Sequence, residues 1–249
     1  MSEDELVEVL DAAVAAVART LGGLDDLRAV TGRPGQYHLD VVSDAAAVEV
    51  LVGAGLGVLS EESGVHHPER PVTVVVDPVD GSTNASRGVP WYATSVCAVD
   101  GDGLRAAVVV NQASGERFQA VRGAGASCNG RPVEPSGCAR LDDAIVAVSG
   151  LPEAHWGWAQ FRALGAAALD LCYVADGRLD GYVALSSGLA PWDYLGALLV
   201  CRESGTDIVD AEGRPLVVLD QTARRAPVAA PPALLPELLA ASGREPVAR

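Results

Sequence analysis

The alternation of apolar and polar positions divides the chain into a short list of elements. Leu6, Val7, Leu10, Val14 and Val17 fall on one stripe of a helix. Ser2 and Glu5 form a capping box ahead of it, so the pattern predicts a helix over residues 2–20. Residues 22–40 are rich in Gly, Asp and Pro and read as a loop. A second helix is predicted from Ser43 to about Val52. Val72–Val76 is a compact β-branched run, the mark of a buried strand. Ala93–Val99 and Leu104–Val110 flank Asp100-Gly101-Asp102-Gly103 as a hairpin, Arg117–Val121 adds a strand, and 123–135 is turn-rich. Beyond that the order changes: strand Ile145–Ser149, helix Ala166–Ala175, strand Leu179–Leu185, helix Trp192–Ser204 ending at Gly205, a short strand pair, and a helix near Pro232–Ala241. Meandering strands followed by alternating strand and helix predict an α/β fold in two sub-domains, 1–140 and 141–249.

Composition narrows what such a fold can do. Nearly half of the 249 residues are hydrophobic, enough for a sizeable core, and no apolar run approaches the length of a membrane span. The N-terminus is acidic, unlike a signal peptide, so a soluble cytoplasmic protein is expected. Five cysteines without C-x-x-C spacing fit reduced thiols. A net charge of −15 argues against a nucleic-acid partner, and a phosphate ester would need a cation to reverse the local field. All 18 basic residues are arginine, which rules out chemistry built on a lysine. H-E-x-x-H and G-x-S-x-G are absent as well.

The strongest chemical signal is Val74-Val75-Val76-Asp77-Pro78-Val79-Asp80-Gly81-Ser82-Thr83-Asn84. A buried strand ends in two carboxylates. Gly81 then lets backbone approach a ligand, and Ser82 and Thr83 present amides to an anion if a helix starts there. Carboxylates for a hard cation beside a backbone cradle suit metal-assisted phosphoryl chemistry. Two further elements are ambiguous alone. Glu61-Glu62 reads equally as an exposed acidic pair, and Asp193 in Pro191-Trp192-Asp193 reads equally as a helix cap.

Together, Glu61-Glu62, D-P-V-D-G-S-T-N and Trp192-Asp193 resemble the inositol monophosphatase family. So do the run Gly165–Asp180, Asn129-Gly130 and Glu203-Ser204-Gly205, over about residues 40–240. The resemblance implies a sandwich of alternating helix and sheet layers, two or three Mg²⁺ ions per active site, and a homodimer. It implies hydrolysis of a small phosphate monoester, a polyol, sugar or amino-alcohol phosphate, by a metal-activated water. Glu61, Asp77, the Val79 carbonyl, Asp80 and Asp193 match the metal ligands, and Ser82 matches a water-orienting hydroxyl with Asp44 as its acidic partner. The Gly81, Ser82 and Thr83 amides match the phosphate cradle. Gly165, Ala166, Ala167 and Asp193 match substrate contacts. A sugar-bisphosphate or nucleotide-bisphosphate phosphatase is the alternative within the class, and a metal-stabilised binding module without turnover is the alternative outside it.

The chain also departs from the resemblance. Ser60 replaces a usual glycine, and the lysine-containing loop of the N-terminal third is missing. Ala184 stands where the family often carries an acidic reader of substrate hydroxyls. Inositol 1-phosphate is therefore not the expected best substrate, and Ser186 and Ser187 are candidate replacements for the reader.

Overall fold

The computed structural model describes residues 1–33, 35–185 and 188–243; Ser186 and Ser187 fall outside the described residues. Helix α1 spans Glu3–Gly22, capped by Ser2 and Glu5 in the capping box that the sequence predicts. Helix α2 spans His38–Gly53, starting five residues before the predicted Ser43. Its cap signal is unusual: the Asp40 carboxylate accepts the Tyr37 amide at 2.9 Å, so the acid holding the N-terminus lies inside the helix.

Strands β1 (Gly57–Ser60), β2 (Gly64–His66), β3 (Thr73–Asp80), β4 (Ala93–Asp100), β5 (Gly103–Asn111), β6 (Arg117–Val121), β7 (Gly125–Cys128) and β8 (Arg131–Pro132) form one eight-stranded sheet in the order 2-1-3-4-5-6-7-8. A six-residue helix α3 (Ser82–Arg87) leaves the end of β3. Strands β9 (Ile145–Ser149), β10 (Gln160–Arg162), β11 (Gly181–Ala184), β12 (Asp207–Asp210) and β13 (Pro227–Ala230) form a second sheet in the order 10-9-11-13-12. Helices α4 (Ala167–Ala175), α5 (Pro191–Ser204) and α6 (Leu235–Ala241) complete the chain. The change of sheet falls between Pro132 and Ile145.

The period-two alternation of the strands sorts side chains into layers. Val58, Val74, Val76, Val96, Ala98, Ala106 and Val108 point to one face of the large sheet, where Leu6, Leu10, Val14 and Val17 of α1 and Ala47 and Leu51 of α2 cover them. Leu59, Val75, Cys97, Ala107 and Val109 point the other way, into a core with Leu169 and Cys172 of α4 and Leu195, Leu198 and Leu199 of α5. That core also takes Ala147, Tyr182 and Ala229 from the small sheet. The opposite face of the small sheet, Val146, Val148, Val183 and Val228, is closed by Leu235, Leu238 and Leu239 of α6. The order is helices, sheet, helices, sheet, helix, a layered α/β sandwich. At Gly196 a Cβ would lie 2.5 Å from Ser95 Oγ, so only glycine lets α5 approach β4 this closely.

Candidate metal and substrate site

Glu61, Asp77, Asp80 and Asp193 come together where β3 ends and α3, α4 and α5 begin. Strand β3 does not stop at Val76; it continues through Asp77-Pro78-Val79-Asp80. The register against β4 slips there: Asp77 faces Ser95 and Asp80 faces Ala93, leaving Pro78 and Val79 as a bulge. Proline inside this strand is tolerated because the bulge removes the ladder bond it would break. Both aspartates thereby turn toward the C-terminal end of the sheet.

Glu61, Asp77 and Asp193 each place one carboxylate oxygen within 4.8 Å of the other two. Asp80 stands close enough to add its charge to that of Asp77. Glu61 is reached from the turn after β1, Asp193 from the first turn of α5. Asp193 caps its helix and also faces the other acids. Its Oδ2 accepts the Ala190 amide at 2.7 Å, holding the start of α5, while a carboxylate oxygen still joins the cluster. Asp80 is used similarly: its Oδ2 accepts the Ala168 amide at 2.7 Å, fixing the first turn of α4.

The electrostatics are those of crowded acids, with Asp77 buried, Asp80 and Asp193 half-buried and the Glu61 residue exposed. Burial, then the charges of Glu61, Asp80 and Asp193, hold the Asp77 carboxyl well above the usual range. Burial, then Asp193, does the same to Asp80. Glu61 is pushed up to about 8 by desolvation of its carboxyl and by Asp193 and Glu62. Asp193 rises to about 6 by burial, with Arg224 pulling the other way. Asp77 Oδ1 is buried and receives no hydrogen bond; its polar neighbours are the other carboxyls. A buried acceptor with nothing donating to it is costly, and the clustered carboxylates of Glu61, Asp77 and Asp193, with Asp80 beside them, fit a divalent cation such as Mg²⁺.

Helix α3 starts from Gly81 at φ +87°, where a side chain would be strained and a Cβ would lie 3.0 Å from the carbonyls of Gly165 and Trp91. Its first amides, at Ser82 and Thr83, have no carbonyl within the helix to bond. Asn84 Nδ2 donates to Trp91 O and Leu164 O, each at 2.8 Å. This clamp draws Gly165, Ala166 and Ala167 against the strand end. Between them lies a cavity of about 190 Å³, bounded by those three residues with Asp80, Ser149, Asp170, Leu189 and Asp193.

One assignment is corrected. Asp44 does not serve Ser82: it is buried and accepts a short hydrogen bond from Ser60 Oγ. Asp40, one helical turn earlier, is the acid on which the Ser82 hydroxyl acts electrostatically, and burial raises its pKa to about 6. Asp40 and Asp44 share a helix face, so spacing alone does not separate them; the hydroxyl of Ser60, where a glycine was expected, takes Asp44 away. Asp170 was also missed as a site residue. It lies inside a matched motif, but only the fold shows that its carboxylate lines the cavity, with Trp91 Nε1 donating to Oδ1 at 2.9 Å.

The chain matches the inositol monophosphatase family over residues 52–245, and it belongs to that family. It is 31% identical over 220 residues to an inositol-1-monophosphatase of Mesorhizobium japonicum, covering 80% of this chain and 81% of that one. It is 36% identical over 172 residues to the Nus factor SuhB of Salmonella typhimurium, covering 63% of each. Among solved structures, the extragenic suppressor protein SuhB of Bartonella henselae superposes with a TM-score of 0.83 at 29% identity, over 96% of this chain and 100% of that one. An inositol monophosphatase of Anabaena shares the fold with a TM-score of 0.81 at 24% identity, over 98% and 97%. Among the described residues, no helix is long and apolar enough to cross a membrane.

Proposed function

We propose that the protein is a Mg²⁺-dependent phosphatase acting on a small phosphate monoester. The observation that carries this reading is the buried Asp77 oxygen without a donor, set among the carboxyls of Glu61, Asp80 and Asp193. Glu61, Asp77, Asp80, Asp193 and the Val79 carbonyl in the bulge are the candidate ligands. The bound ions would supply charge for the phosphoryl oxygens and lower the pKa of an attacking water. The protein's own part is positional. Ser82 Oγ, near the Asp40 carboxylate, would fix a water beside the strand end. The amides of Gly81, Ser82 and Thr83 receive phosphate oxygens, and Gly165–Ala167 form the wall against which the alcohol leaves.

The likeness to proteins named as Nus factors keeps a role without turnover as the competing reading. It gives no account of an intact donor set around an unsatisfied acid. Purified protein should release inorganic phosphate from a panel of phosphate monoesters in millimolar Mg²⁺ and release none in EDTA. Metal-independent release, or none from any ester, would defeat the proposal.

A further inference from the structure

The metal-side carboxylates account for only part of the cavity. Asp170 lies across from them on α4, 1% exposed, and faces the same space as Asp80 and Asp193. Among the described residues, one side-chain hydrogen bond reaches it, from the Trp91 indole to Oδ1, leaving Oδ2 without a donor. Ser149 lines the cavity beside it. Behind Ser149 the Tyr182 hydroxyl is wholly buried and forms no well-shaped hydrogen bond, and the Asp170 charge acts directly on it.

No basic side chain lines this cavity among the described residues. Asp80 and Asp193 have a prospective counter-charge in the cations of the proposed active site. Asp170 has none from the protein, and a single indole N–H does not neutralise a carboxylate taken out of water. A hydroxyl on the substrate would satisfy its geometry and leave its charge uncompensated. An ammonium group would satisfy both, since its three N–H donors find acceptors in Asp170 Oδ2 and Ser149 Oγ and in solvent. The cavity of about 190 Å³ has room for a compact ammonium-bearing group beside Asp170 and opens to solvent.

We propose that Asp170 is a specificity-determining residue that selects phosphate esters of amino alcohols by pairing with the substrate ammonium group. This rests on the phosphatase reading and adds the chemical class of the leaving alcohol. It also accounts for Ala184: with an acidic reader on α4, β11 needs none.

The test compares 2-aminopropyl phosphate with 2-hydroxypropyl phosphate, which have the same skeleton and differ in the charged group. p-Nitrophenyl phosphate serves as a neutral-leaving-group control for phosphatase activity itself. Wild-type protein in Mg²⁺ should favour the amine in kcat/KM by on the order of 10²-fold, as expected for a buried charge pair. Asp170→Asn, which keeps an acceptor for Trp91, should lower that ratio at least roughly tenfold, mainly through KM for the amine. Equal use of the two esters by the wild type, or a ratio unchanged in Asp170→Asn, overturns the inference while the phosphatase reading stands. Mg²⁺-dependent release from none of the three esters removes the phosphatase reading and the inference with it. Thermal melts of the variant confirm that the ratio is read on folded protein.

Discussion

Asp77 and Asp210 are each 2% exposed, and they are treated in opposite ways by the fold. Asp210, at the end of β12, receives the Arg214 guanidinium at 2.7 Å and the amides of Glu212, Arg214 and Ala226. These donors outweigh the cost of its burial and hold its pKa below the ordinary value. Asp77 receives no donor at Oδ1, and its neighbours are acids, so its pKa is driven upward. A carboxylate kept for architecture is supplied with partners by the protein that buries it. One kept for a ligand is left with a deficit only the ligand removes.

The sharpest way to break this contrast is to neutralise each member. Asp77→Asn should lower Mg²⁺-dependent phosphate release by roughly 10²–10³-fold, as loss of one charge-stabilising group does. In metal-free buffer its melting temperature should equal or exceed that of the wild type, because a buried repulsive charge is gone. Asp210→Asn should instead cost about 2 kcal/mol, because a buried acid loses charge-assisted hydrogen bonds from backbone amides and a half-exposed arginine, and lower the melting temperature by roughly 5 °C. Matching stability losses in both variants would erase the distinction.

Protons and cations compete for the same cluster, which gives the next effect. Glu61 and Asp193 have folded-state values of about 8 and about 6, above those of the unfolded chain. A raised carboxyl pKa contributes stability that is complete below the unfolded value and is lost as pH climbs through the folded one. The EDTA-treated protein should therefore melt at progressively lower temperature from pH 5 to pH 8.5. Mg²⁺ should restore about 2.7 kcal/mol at a hundred times its Kd, and the restoration should grow with pH. A flat metal-free profile in scanning calorimetry would mean that the cluster is not under charge strain.

The smallest expected effect separates two acids on α2. Asp40→Asn should reduce kcat about tenfold, near the lower limit for losing a group that orients others. Asp44→Asn should act mainly on stability, since its partner is Ser60. Larger loss of kcat in Asp44→Asn would reverse the assignment.

That pair also marks where the sequence stops being readable. The capping box of α1, the buried run of β3 and the glycine that ends α5 are local signals, and local signals locate their elements. The β1 strand of four residues and the β10 strand of three are too short to show a period, and they exist because neighbours pair with them. The start of α2 was hidden because its capping acid lies within the helix. The candidate metal ligands were legible because each lies inside a recognisable motif. Asp40 and Asp170 were not, because each role depends on a distant residue, the Ser60 hydroxyl in one case and the Trp91 indole in the other.

The Asn84 side chain, bonded to Trp91 O and Leu164 O, ties the strand end proposed to receive phosphate to the segment proposed to meet the alcohol. It acts as a mechanical tie, so a change in one of those walls is felt by the other. Divergence toward new substrates has its freest ground where this tie does not reach, on β11 and on the approach to α5 around Leu189. An Ala184 in place of an acidic residue is the kind of change such a layout permits: the wall is rewritten while the bond-breaking end keeps its shape.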